Sequence, residues 1–248
     1  MRSKLLMGAI AASASLAFAG IAQGVVSADN TTTFEATAKP SDSGTATKPK
    51  SVTLHFDQTV DRPGTTVGKI VVGLPKGLKF SGKGLKKCSK TNLELNGRTA
   101  CPAGSKAGLM GTSTARIEPA NTPLDFHVYP YVGGNTTFLF YLVQTDTAGN
   151  ELSSGIQAVL TGAITNKGRK LSITIPQELR QPVAGLNATL TSIHATFVGK
   201  VGKHYAVTST NCKGGKWKIS GTLVYSPRTD NPTPPSPGTL TDPVPCKK

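Results

Sequence analysis

The residues of this chain with chemistry to offer are four histidines, thirteen carboxylates, four cysteines and a dense run of lysines. The histidines are His55, His127, His194 and His204. The first three each lie on the polar face of an alternating stretch, and none has a second histidine at metal-ligand spacing. No H-E-x-x-H, G-x-S-x-G or S-x-x-K sequence occurs, and neither a P-loop nor a dinucleotide fingerprint is present. A triad can still be assembled from separate strands, because triads are defined by geometry. The sequence leaves that open, and each histidine is expected to be structural or exposed.

Paired carboxylates would serve glycoside hydrolysis, but the acids are thinly spread. Asp57 and Asp61 form the one close pair, and Asp61-Arg62-Pro63-Gly64 reads better as turn chemistry. Calcium needs several oxygen ligands in one loop, and no segment supplies them. The expectation is a protein without catalytic residues, metal or cofactor.

The lysines are the conspicuous feature. Lys76, Lys79, Lys83, Lys86, Lys87 and Lys90 fall within one short stretch that contains no acid. Such a cluster suits wall polyanions, anionic headgroups or nucleic acid; otherwise it is a solvated loop in a basic protein of formal charge +15. Only Phe80 intervenes as an aromatic, so stacking of bases has little to work with. Export, which the N-terminus suggests, also speaks against nucleic acid. Anionic cell-wall polymers or another envelope protein are the expected partners.

The N-terminus reads as a cleaved signal peptide over residues 1–28. Arg2 and Lys4 precede an uncharged Ala- and Leu-rich run, and Val26-Ser27-Ala28 offers small residues for cleavage before Asp29. No second apolar run long enough to span a bilayer follows, so the product is expected to be secreted, free or loosely associated with the wall. Export makes the cysteines legible as bridges. Four thiols allow three pairings, and nearest neighbours, Cys88 with Cys101 and Cys212 with Cys246, close two local loops worth about 3 and about 4 kcal/mol. Zinc is disfavoured because no close Cys pair exists.

The elements that must carry these residues are strands. Val52, Leu54 and Phe56 alternate with Thr53, His55 and Asp57; Leu124, Phe126 and Val128 alternate with Asp125, His127 and Tyr129. Thr136 to Val143 resumes after Gly133-Gly134-Asn135, which reads as a hairpin. Further strands are expected near Asn30–Thr37, Val67–Leu74, Ile156–Ile164, Leu171–Ile175, Ala188–Val198, Tyr205–Ser209 and Trp217–Tyr225. In the last, Trp217, Ile219, Gly221, Leu223 and Tyr225 share a face. With 27 Gly, 17 Pro and no long helical period, the pattern excludes a helical bundle, a coiled coil and a polytopic membrane protein. It predicts an all-β antiparallel sandwich, Ig-like or jelly-roll-like, of about ten strands in one domain over 29–248. Pro75 to Gly111 is a disulfide-pinned Gly/Lys-rich excursion, and 226–245 a Pro-rich one that Cys246 fastens back beside the strand following Cys212.

Three segments carry a resemblance. Leu74-Pro75-Lys76-Gly77-Leu78-Lys79-Phe80 is followed by Cys88-Ser89 and by Ala100-Cys101-Pro102-Ala103-Gly104-Ser105-Lys106-Ala107-Gly108; later comes Cys212-Lys213-Gly214-Gly215-Lys216-Trp217. Over roughly Thr31 to Cys246 the chain resembles a group of uncharacterised exported actinobacterial proteins. The resemblance implies secretion and a β-sandwich, and brings no catalytic residue with it. Lys213 stands where relatives often have Pro, and the Pro-rich insert before Cys246 is atypical. The expected function is binding or structure at or outside the cell envelope; the alternative is a secreted hydrolase with a non-contiguous site.

Overall fold

The structure is a computed structural model that describes residues 25–26 and 32–248. The signal-peptide reading of 1–28 lies outside the described residues apart from Val25–Val26, a two-residue strand paired with Phe34 and Thr33.

Eleven longer strands carry the fold. They are β1 (Thr32–Lys39), β2 (Thr53–Val60), β3 (Thr66–Gly73), β4 (Gly108–Glu118), β5 (Thr122–Gly134) and β6 (Thr137–Thr145). After them come β7 (Gln157–Thr165), β8 (Lys170–Thr174), β9 (Asn187–Phe197), β10 (Lys216–Ser226) and β11 (Gly238–Pro245). All pair antiparallel in one sheet of order β1-β2-β9-β4-β5-β6-β7-β8-β3-β10-β11. The all-β expectation holds, and the sandwich is built from a single sheet wrapped round a common core.

The two edges nearly meet. The buried Asp242 carboxylate of β11 accepts a hydrogen bond from the Ala36 N–H of β1 at 2.7 Å. Beyond it, Ser43 N–H donates to Lys247 O at 2.8 Å and Lys247 N–H to Ser41 O at 2.9 Å. An aspartate supplies the acceptor that a ladder carbonyl would otherwise provide, so edge groups that would invite aggregation are satisfied internally.

Alternation decides what lies inside. In β2 and β10 every second residue is buried, including Trp217, Ile219, Leu223 and Tyr225 as their spacing predicts. Phe197 is the hub of the core, with ring centroids of Phe56, Phe80, Phe138 and Phe140 at 6.0, 5.2, 5.4 and 5.9 Å. Gly221 belongs to the same face because a Cβ there would lie 2.4 Å from the Phe34 ring.

Two of these eleven strands leave no clear alternation in the sequence. β4 turns Ser113 and Ala115 inward, too small and polar to register as an apolar alternation. β11 occupies the second half of the Pro-rich segment 226–245: Val244 is buried between Pro243 and Pro245, which are exposed. Proline is tolerated there because β11 is an edge strand.

The excursion after β3 folds over the outer face of β5, β6 and β7. Its helix α1 (Lys90–Asn96) is capped by Ser89, whose hydroxyl accepts from Asn92 N–H at 3.1 Å. Leu93 of α1 packs with Cys88, Tyr131, Leu139, Tyr141, Val143 and Val159 in a second, smaller apolar cluster. Both sides of β6 are therefore covered, which explains its unbroken apolar run. The bridges are Cys88–Cys101 and Cys212–Cys246, as the spacing suggests, and no described cysteine is free.

Candidate functional site

The wrapped sheet has two ends, and the lysines collect at one. Backbone bonds fasten the excursion to three separate turns: Gly82 N–H donates to Asn135 O at 3.0 Å, Leu74 N–H to Arg169 O at 2.8 Å, and Ser81 N–H to Ala206 O at 2.9 Å. The approach is close enough that a Cβ on Gly82 would sit 1.9 Å from Gly134 O, which explains glycine in this run. A three-stranded sheet of Lys50–Ser51, Val207–Ser209 and Leu78–Phe80 crosses the same end.

This arrangement enlarges the predicted cluster. Lys76, Lys79, Lys83, Lys86 and Lys87 are exposed and have no carboxylate partner among the described residues. Their neighbours at this end are Lys167, Arg169 and Lys170 of the β7–β8 turn, Lys200 and Lys203 after β9, Lys213 and Lys216 at the start of β10, and Lys247 and Lys248 after β11. The acid that joins them is Asp42, itself 4.0 Å from Lys50. The opposite end mixes both signs, with the acids Asp61, Glu118, Asp146, Glu151, Glu178 and Asp230 beside Arg62, Arg180 and Arg228. Lys90 differs from the other five: it opens α1 and is paired with Glu94 at 3.3 Å.

Strand pairing brings two histidines together on the outer face of β2 and β9. The register sets His194 opposite Asp57 and Thr196 opposite His55. His55 Nε2 lies 2.8 Å from Asp57 Oδ2, and its Nδ1 lies 2.7 Å from the Thr196 hydroxyl. His194 Nδ1 meets the other oxygen of Asp57. With Nε2–H of His55 donating to Asp57, its Nδ1 accepts the Thr196 proton, a hydroxyl–imidazole–carboxylate chain. Only the register could show it, since the two i, i+2 pairs are more than a hundred residues apart.

His127 and His204 go elsewhere. His127 Nδ1 is 3.2 Å from Glu151 Oε1, which also accepts from Tyr129 Oη at 2.5 Å, while Arg98 donates to Glu151 Oε2 at 2.5 Å and lies 4.1 Å over the Tyr129 ring. This cluster ties the disulfide-closed cap to the loop after β6. Burial, then the Glu151 hydrogen bond, push Tyr129 up to about 12. Burial alone would raise the Glu151 carboxyl, but hydrogen bonds from Tyr129 and His127 and the Arg98 charge outweigh it and hold it below its ordinary value. His204 packs against Gly84 at the lysine end.

At the opposite end the buried Arg228 guanidinium bridges Glu118 and Asp230, the latter at 2.6 Å, and so anchors the start of the Pro-rich segment. The expected turn forms at Pro63-Gly64, and Thr65 Oγ1 closes it by donating to Arg62 O at 2.6 Å.

No group of three or more His, Cys, Asp or Glu among the described residues is arranged to hold a metal ion. No helix among them is long and apolar enough to cross a membrane. Two disulfides fit an oxidising compartment. Compared with known protein families, curated proteins and solved structures, the chain matches none of them.

Proposed function

We propose that this is a secreted, non-catalytic β protein that binds anionic polymers of the cell envelope through its lysine-bearing end. The carrying observation is the gathering of lysines without carboxylate partners from five separate segments at one end, where Asp42 is the one acid among the described residues. Convergent charge of one sign raises local counter-ion concentration and steers polyanions. The residues are lysines, compact and flexible point charges suited to phosphate or carboxylate polymers without fixed geometry. The signal-like N-terminus, the resemblance to exported proteins and the two disulfides support a polymer outside the cell.

The test is co-sedimentation with purified wall carrying teichoic-type polyphosphate. The protein should be retained at low salt and released as ionic strength rises. Retention that ignored salt, or failure to bind at low salt, would overturn the proposal.

The alternative, a secreted hydrolase, rests on the Thr196–His55–Asp57 chain. It requires that the protein turn over simple esters or peptides and that His55→Ala abolish the turnover; absence of turnover in the parent sinks it.

A further inference from the structure

The wrapped sheet holds a cavity of about 170 Å³ at the end opposite the lysines. Its walls include Ile70, Phe126, Phe140, Leu160, Ile173 and Leu190, and the single turn α2 (Gln177–Arg180) with Pro182 lies across it. Leu124, Leu142, Ile156, Ile175 and Leu179 are apolar yet only half-buried, so the void opens toward solvent at its rim. It exists because β4 and β9 present Ser113, Ala115 and Ala188 where larger side chains would close the core. Apolar walls of this kind gain contacts, and so stability, from an apolar guest placed between them.

The rim is chemically divided. On one flank Glu178 borders a depression shared with Lys90, Tyr141 and Gln157. On the other, Arg180 stands between the cavity and a polar pocket lined by Thr66, Gln181, Asn187 and Arg228. The Nε of Arg180 donates to Ile175 O at 3.0 Å, which fixes the guanidinium at the rim. No carboxylate pairs with it among the described residues, whereas Arg228 is occupied by Glu118 and Asp230. Thr66, which lines the polar pocket, is 2% exposed, and its hydroxyl has no hydrogen-bond partner among the described residues. An orphaned buried hydroxyl beside an unpaired guanidinium is a place for an acceptor.

We infer that this cavity binds a small amphiphile, with an apolar body inside and a carboxylate head between Arg180 and Thr66. The void is close to the engineered cavity of about 150 Å³ that binds benzene, so it takes a ring or about six carbons of a chain. The inference is independent of the lysine end, and either stands without the other.

Calorimetric titration with butanoate, hexanoate, octanoate and decanoate, below their micellar concentrations, tests it. Affinity should improve about fourfold per methylene until the cavity is full and then level off. Ala188→Phe, which fills the cavity, should weaken octanoate at least tenfold. Arg180→Gln should weaken octanoate about tenfold while leaving the alcohol of the same length unchanged. No binding by any chain, an affinity indifferent to chain length, or equal loss of acid and alcohol in Arg180→Gln would overturn the assignment. If Ala188→Phe fails to fold, the chain-length series on the parent protein decides.

Discussion

Replacing Lys83, Lys86 and Lys87 together by Gln isolates the charge term from the fold. All three are exposed and lack acid partners among the described residues, so the variant should melt with the parent, within the roughly 0.5 kcal/mol usual for surface changes. Binding should respond differently. Each lysine that neutralises a phosphate releases condensed counterions, adding about 0.7 to 0.9 to the slope of log affinity against log salt. Three lysines therefore account for a slope of about 2 to 2.7, so between 50 and 200 mM salt the parent should lose about 20- to 40-fold more affinity than the variant. Lys90 is the internal control. Its charge is engaged by Glu94 at 3.3 Å, so Lys90→Gln should barely change the slope, and should loosen α1 by only about 0.3 to 0.5 kcal/mol. The assay is retention on a polyphosphate matrix across a salt series, with thermal melts in parallel. Equal slopes for parent and triple variant, or an effect of Lys90→Gln as large as the triple change, would refute the reasoning.

Other consequences can be checked in the same preparations. Tyr129 is pushed up to about 12 from an ordinary 10.0, so the unfolded chain loses its proton first as pH rises; parent stability should fall between those values more steeply than that of Tyr129→Phe, measured by urea midpoints. Leu93→Ala empties the centre of the cap cluster, where Leu93 is 0% exposed, and should cost about 2 to 5 kcal/mol; a loss below about 1 kcal/mol in chemical denaturation would mean that the cap is not packed as described. Gly221→Ala drives a methyl group into the Phe34 ring and should cost about 1 to 3 kcal/mol, seen as a lowered melting temperature. Non-reducing peptide mapping should return Cys88 with Cys101 and Cys212 with Cys246, and any cross-pair contradicts the topology.

The local alternation of residues determined the strands of this protein wherever one face is strongly apolar. Val52, Leu54 and Phe56, or Trp217 to Tyr225, need no partner to declare which side is buried, because side chains alternate with period two. The bridges were equally local, since short loops favour nearest neighbours. β4 stayed hidden because its inward residues, Ser113 and Ala115, are small where they border the cavity, and small residues leave no periodic signal. β11 was masked by prolines that only an edge position accommodates. The single wrapped sheet, its Asp242 seam and the meeting of His55, Asp57 and His194 depend on register across long separations, which no local pattern encodes. The lysines of residues 76–90 stood out as a run, but their union with those of four other turns, and the pairing that removes Lys90, were decided by chain packing. Charges sum over space rather than over sequence, so the basic end belongs to the tertiary structure alone.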